Sequence, residues 1–138
     1  MSQLYLLDTN IISELMRRPE GPAATLYRTR VSQLVDAQVA TSIVVQCELL
    51  SGLRRVRAPR LQQHYELQMA QTPVLPLDAS VALHYADLRC ALEAVGKPMG
   101  PNDSLIAAHA LALGAIMVSA DTEFARVPGL TLENWLTP

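Results

Sequence analysis

Aromatic residues and cysteines are scarce in this sequence, and both shortages narrow the class of protein that it encodes. Of the 138 residues 50% are hydrophobic but only 4% are aromatic, so leucine, alanine and valine must build the core. The two cysteines, Cys47 and Cys90, lack the paired spacing of a zinc site or a redox motif. We therefore expect reduced thiols and a cytoplasmic protein.

Long apolar runs and a strong excess of one charge are also missing. No stretch approaches the roughly 20 apolar residues that a membrane span needs, and the N-terminus lacks the regions of a secretory signal. The formal net charge is −2 and the only lysine is Lys97, so nucleic-acid binding cannot be argued from total charge. The length fits one domain over residues 1–138 with a core of its own.

Apolar strands and helices alternate along the chain. The first strand, from about Tyr5 to Asp8, carries no polar residue before its end, as expected for a strand that is buried on both faces. Further strands are predicted at about 39–41, 74–78, 115–119 and 130–132. Cap residues, prolines and helical periodicity predict helices at about 9–18, 22–35, 43–56, 60–71, 81–95 and 103–113. This alternation predicts an α/β sandwich around a parallel sheet.

Asp103 and Asp121 bracket an apolar helix and an apolar strand that are joined at Gly114. If Asp103 opens the helix and Asp121 closes the strand, the helix travels roughly 16 Å outward and the strand returns nearly as far. Asp8 ends the first strand, and the carboxyl ends of parallel strands share one edge of a sheet. Three carboxylates from distant parts of the chain should therefore converge.

Glu48 completes a predicted group of four acids, because it lies about one and a half turns into the helix that Ser42 caps. Four anions in a small volume repel one another unless a cation or protons compensate, and carboxylates are the ligands that Mg²⁺ and Mn²⁺ prefer. Taken singly, Asp103 is better explained as a helix cap and Glu48 as a solvated helix residue, and Asp121 is equally explained as a turn residue.

Four segments in order, 7–10, 47–52, 102–110 and 118–121, resemble the successive motifs of PIN-domain proteins. They read Leu-Asp-Thr-Asn, Cys-Glu-Leu-Leu-Ser-Gly, Asn-Asp-Ser-Leu-Ile-Ala-Ala-His-Ala and Val-Ser-Ala-Asp. More narrowly they are similar to VapC-type ribonuclease toxins of bacterial toxin–antitoxin pairs. The resemblance covers nearly the whole chain. It implies a three-layer α/β/α sandwich with a central parallel sheet of four to five strands.

The resemblance also implies an endoribonuclease that hydrolyses RNA with a water activated by Mg²⁺ or Mn²⁺. Asp8 and Asp103 would bind the metal, Asp121 would complete its ligands directly or through water, and Glu48 would position the water. Thr9 and Ser119 would supply supporting hydroxyl groups, with Ser119 standing where the family commonly has threonine.

Partners follow from the same resemblance: an RNA substrate, a small antitoxin that covers the acidic pocket, and a second copy in a homodimer. A groove for the antitoxin and core packing explain one apolar set equally well, namely Ile11, Ile12, Leu15 and Leu26. One arginine cluster would contact RNA phosphates or complement a helix dipole, namely Arg54, Arg55, Arg57 and Arg60. Arg17 and Arg18 are a weaker second candidate.

Two other functions compete with this prediction. A haloacid-dehalogenase-type phosphatase would also place an aspartate after the first strand, but it usually has a second one two residues later, where this chain has Asn10. A catalytically silent PIN fold that only binds RNA or a partner is the other alternative. The three histidines, His64, His84 and His109, are expected to pack or lie on the surface.

Overall fold

The computed structural model describes residues 2–138, in which five strands and six α-helices alternate. The strands are β1 (Gln3–Leu7), β2 (Ala37–Ser42), β3 (Val74–Leu75), β4 (Ile116–Val118) and β5 (Leu132–Glu133). The helices are α1 (Thr9–Arg17), α2 (Pro22–Ser32), α3 (Ile43–Val56), α4 (Pro59–Met69), α5 (Val81–Ala94) and α6 (Pro101–Leu113). A 3₁₀ helix, Thr122–Arg126, follows β4.

All five strands run parallel, in the spatial order β3-β2-β1-β4-β5. In the central register Leu7 of β1 pairs with Thr41 on one side and with Val118 on the other. The residues that follow these strand ends therefore meet at one edge of the sheet, and the predicted α/β/α fold with a parallel sheet is confirmed.

The apolar character of the central elements accounts for their position. Leu6 and Leu7 of β1 are fully buried, as expected for a strand covered by helices on both faces. Helix α6 is apolar nearly all round, and its residues 106–108 and 110 have no exposed surface. Gly114 ends α6 with a positive φ of 65°, a left-handed conformation that lets the chain turn directly into β4.

Several predicted boundaries are wrong in ways that matter for the site. Helix α6 begins at Pro101 instead of Asp103, because proline suits the first helical position, where no N–H partner is needed. Strand β4 ends at Val118, so Asp121 lies three residues beyond it and not at its close. The 3₁₀ helix was not predicted, and the last strand lies at 132–133 instead of 130–132. Strand β2 is longer than predicted and β3 shorter.

The apolar residues of the first two helices divide between core and surface. Ile11, Ile12 and Leu15 are buried in the core, so core packing explains them and they do not line a groove. Leu26 of α2 is half-buried and lines a cavity of about 450 Å³ next to Trp135.

Across residues 2–138, no helix is long and apolar enough to cross a membrane.

Candidate functional site

Asp8 lies at the centre of the predicted edge, between β1 and α1. Only 4% of its surface is exposed, and its carboxylate is held on both oxygens. Oδ1 accepts the Thr9 N–H over 2.8 Å, which caps α1, and Oδ2 accepts the Ser119 hydroxyl over 2.7 Å. The carboxylate that follows the first strand is thus fixed in position by both neighbouring elements.

Asn10 and Ser119 join the start of α1 to the end of β4. The Asn10 side chain donates to Asp8 Oδ2 over 3.2 Å and to Ser119 Oγ over 3.1 Å, and its Oδ1 accepts the Ala120 N–H over 3.0 Å. Ser119 Oγ also accepts the Asp121 N–H over 3.0 Å. Asn10 is not part of the predicted site, although its place in the first motif was a signal that it had a role.

Glu48 reaches the same edge from α3. Its Oε1 accepts the Thr9 hydroxyl over 2.5 Å, so the residue after Asp8 orients the glutamate. Ser42 caps α3 by accepting the Val44 N–H, and the ring of His109 lies 2.7 Å from the same Ser42 hydroxyl. A chain of contacts from α6 through the cap of α3 therefore fixes the helix that carries Glu48.

Asp103, Asp121 and Glu123 form the outer part of the cluster, with carboxylate oxygens that all lie within 4.8 Å of one another. Asp103 lies in the first turn of α6 and Gly100 is the N-cap residue, so the helix-cap alternative for Asp103 is wrong. Asp121 caps the 3₁₀ helix by accepting the Glu123 N–H over 2.9 Å, so it is a turn residue as well as a member of the cluster. Glu123 is not among the predicted acids, because its place beside Asp121 depends on the 3₁₀ turn, for which the sequence pattern carries no signal.

Electrostatics couple these carboxylates. Burial raises the pKa of Asp8 from 3.8 to about 6, and the charges of Asp103 and Glu48 add to this, while hydrogen bonds from Ser119 and Thr9 oppose it. The pKa of Asp103 is also raised, first by burial and then by the negative charges of Glu48, Asp121 and Glu123. One repulsive field therefore spans the strand ends, α3, α6 and the 3₁₀ helix.

Only one carboxylate of this cluster is paired with a basic side chain in the described part of the chain. Its one ion pair joins Glu123 to Arg126 over 3.3 Å, and no arginine or lysine pairs with Asp8, Asp103 or Asp121. Carboxylate oxygens are the ligands that Mg²⁺ and Mn²⁺ prefer. The described cluster offers oxygen ligands and contains no histidine nitrogen or cysteine sulfur. The residues present thus fit a hard divalent cation.

The four arginines of the predicted cluster lie in three different surroundings. All four arginines are exposed, and none forms an ion pair with a described acidic residue. Arg55 lines an open cavity of about 370 Å³ together with Glu48. Arg54 and Arg57 line a different cavity of about 410 Å³ at the junction of α3 and α4, and Arg60 lines neither. The weaker candidates Arg17 and Arg18 bind Ser13 and Glu14 of their own helix.

The histidines lie on helices, as predicted. His64 contacts the Met16 carbonyl oxygen over 2.7 Å, and His84 is exposed on α5. His109 is buried on α6, and burial lowers its pKa. None of them belongs to the carboxylate cluster found among the described residues.

Comparisons with known proteins agree with this geometry. The family model described as PIN domain matches residues 5–130. The tRNA(fMet)-specific endonuclease VapC of Shigella flexneri is 35% identical over 133 residues, covering 95% of this chain and 97% of that protein. Ribonuclease VapC2 of Rickettsia felis is 32% identical over 136 residues, covering 96% and 98%. In the crystal structure of VapBC2 from Rickettsia felis bound to a promoter DNA fragment, one chain superimposes with a TM-score of 0.86 at 29% identity, covering 96% of this chain and 99% of that one.

Proposed function

The chain belongs to the PIN-domain family and, within it, to the VapC ribonuclease toxins, and on this premise we propose how its carboxylates cleave RNA. It is an RNA-cleaving hydrolase and the toxin of a toxin–antitoxin pair. The observation that carries the mechanism is the convergence of Asp8, Glu48, Asp103 and Asp121, none of which forms an ion pair with a described basic side chain.

Asp8 and Asp103 would hold Mg²⁺ or Mn²⁺, and Asp121 would complete the ligand set directly or through water. Glu123 shares the cluster with Asp103 and Asp121 and adds negative charge there. The bound cation would acidify a water molecule and stabilise negative charge on the scissile phosphate. Because the carboxylates repel one another, binding of a divalent cation would reduce the electrostatic repulsion between them.

The remaining residues position these groups. Thr9 holds one oxygen of Glu48 and leaves the other to accept a hydrogen bond from the attacking water, orienting it towards phosphorus. Ser119 and Asn10 hold Asp8 at the strand end. A side-chain nucleophile is not needed, since water attacks the phosphodiester and the leaving oxygen takes up a proton.

The alternatives are separable by experiment. Membership in the PIN family removes the haloacid-dehalogenase-type phosphatase, and the amide of Asn10 serves to hold Asp8 and Ser119. A catalytically silent PIN fold would bind RNA without cutting it.

Purified protein should cut total bacterial RNA at discrete sites with Mg²⁺ or Mn²⁺, and EDTA or Asp8→Ala should abolish the cuts. Discrete cleavage that survives either treatment would contradict the metal mechanism, and binding without cleavage would favour the silent fold.

Removing the Ser119 hydroxyl should weaken both activity and stability. In Ser119→Ala, Asp8 loses its 2.7 Å hydrogen bond, and the Asp121 N–H and the Asn10 amide lose an acceptor. We expect about a tenfold loss of cleavage rate and about 1–2 kcal/mol of unfolding free energy. Ser119→Thr keeps the hydroxyl and should retain most of both. Cleavage assays and denaturant unfolding test this, and an alanine variant that matches wild type would show that Ser119 does not support Asp8.

Two assemblies complete the proposal. We propose that a small antitoxin covers the carboxylates and that the chain forms a homodimer, in line with its membership among the VapC toxins. Light scattering should give a mass near twice the 15.1 kDa of one chain, and an added antitoxin should stop RNA cleavage. A mass of one chain at micromolar concentration would contradict the dimer.

A further inference from the structure

The cavity that contains Arg55 opens directly beside the carboxylate cluster. It has a volume of about 370 Å³ and is lined by Cys47, Glu48, Ser51 and Arg55 of α3 and by Asn102 of α6. Glu48 belongs to the cluster, and Asn102 precedes Asp103 in the first turn of α6. A substrate strand that leaves the scissile position along α3 must therefore pass this cavity.

Helical periodicity explains why three residues of α3 line this cavity together. Glu48, Ser51 and Arg55 are spaced by three and four residues, so they lie on one face of α3. Arg55 lies two turns beyond Glu48, about 10 Å along the helix axis, and its long side chain spans part of that distance. The guanidinium of Arg55 is thus placed where it can reach the nucleotide next to the one at the acidic centre.

The chemistry of the lining matches a nucleotide. Arg55 forms no ion pair with a described acidic residue, so its charge is free for an external anion such as a phosphate. The Ser51 hydroxyl and the Asn102 amide can donate to and accept from a sugar or the edge of a base. RNA can occupy a site that contains both Arg55 and the carboxylates. The positive guanidinium of Arg55 offsets the repulsion between the four carboxylates and the negatively charged RNA backbone.

We propose that this cavity is the subsite for the nucleotide that flanks the scissile phosphate, with the Arg55 guanidinium binding the flanking phosphate. The inference rests on the proposed ribonuclease function and adds where the substrate leaves the cluster. A base that enters the cavity must be unpaired, so the substrate is a single-stranded or loop segment of RNA. Arg54 and Arg57, which line the other cavity, do not contribute to this subsite.

Steady-state cleavage kinetics test the proposed role of Arg55. The substrate is a short RNA that contains one of the sites cut in total RNA. Arg55→Gln should raise KM about tenfold with kcat within about twofold, and should reduce the slope of log KM against log salt by about 0.7, the value for one phosphate contact on a single strand. Arg55→Lys keeps the charge and should preserve most of that slope. Arg28→Gln on α2 removes the same charge elsewhere and should stay within about twofold of wild type. Arg54→Gln removes the charge from the neighbouring residue, which lines the other cavity, and should raise KM clearly less than Arg55→Gln does.

The outcomes separate the subsite from the function. If wild type does not cut RNA in Mg²⁺ or Mn²⁺, the proposed function and the subsite both fall. If wild type cuts and Arg55→Gln behaves like Arg28→Gln, only the subsite is overturned. Equal losses in Arg54→Gln and Arg55→Gln would also overturn it, because they would indicate a diffuse electrostatic effect instead of a defined contact.

The two cysteines provide an independent measurement within one protein. Both are free and exposed, but only Cys47 lines the subsite, while Cys90 lies on α5. In the Asp103→Asn variant with Mg²⁺, saturating RNA should slow alkylation of Cys47 by N-ethylmaleimide at least about fivefold and leave the rate at Cys90 unchanged. Peptide mass spectrometry reports both rates. Equal rates at Cys47 with and without saturating RNA would contradict the subsite.

Discussion

Replacing Asp103 with asparagine is expected to abolish RNA cleavage and at the same time to stabilise the metal-free protein. Asp103 is half-buried, and three neighbouring carboxylates raise its pKa in addition to burial. The neutral amide removes a proposed metal ligand and also removes this repulsion. We expect cleavage to fall at least about a hundredfold. The melting temperature in EDTA should rise by about 1–3 °C, a modest gain because solvent screens a half-buried charge.

A surface carboxylate on another helix provides the control. Asp87→Asn on α5 makes the same chemical change at an exposed position and should leave cleavage and melting temperature close to wild type. RNA cleavage assays and thermal unfolding in EDTA measure the two effects. A loss of activity with an equal loss of stability in Asp103→Asn would indicate a structural residue and contradict a ligand role.

The second large effect is a fall in the stability of the metal-free protein as pH rises. The pKa of Asp8 is about 6 in the folded protein and near 3.8 in the unfolded chain, so the folded state binds the proton more tightly. The stabilisation by this proton is complete below about pH 4 and is lost as the pH rises through 6. Its size is about 3 kcal/mol. Asp103 acts in the same direction, because its pKa is also raised.

Denaturant unfolding between pH 4 and 7 in EDTA measures this loss. Other groups titrate in the same range, so the relevant quantity is the difference between wild type and Asp8→Asn, which cannot ionise at position 8. Stability of wild type should fall relative to the variant as pH rises, and saturating Mg²⁺ at pH 7 should restore it in wild type only. A difference that does not change with pH would contradict the raised pKa of Asp8.

The fold could be predicted well because its signals are local. The short apolar run Tyr5–Leu7 is typical of a buried strand, and the longer apolar segment after Asp103 is typical of a buried helix. The proline at position 101 and the short 3₁₀ turn after Asp121 were harder to interpret, since helix ends and single turns depend on contacts elsewhere in the chain. These were the places where predicted boundaries failed.

The site could be predicted as a group of acids but not as a network. That Asp8, Glu48, Asp103 and Asp121 come close to one another followed from the parallel topology and from the resemblance to PIN-domain proteins. The bond from Thr9 to Glu48 joins residues 39 positions apart, and the Asn10 bond to Ser119 spans 109 positions. Spacing along the sequence carries no signal for such pairs. Only the folded chain assigns Arg55, and not Arg54, to the side of the carboxylates.

Anomalous diffraction from crystals soaked in Mn²⁺ would test the carboxylate centre most directly. We expect a manganese peak at the sheet edge, within bonding distance of the carboxylates of Asp8 and Asp103 and with Asp121 bound directly or through water. Asp103→Asn crystals under the same conditions should lose most of that peak. A wild-type crystal with saturating Mn²⁺ and no peak between these residues, from protein that still cuts RNA, would contradict the metal mechanism.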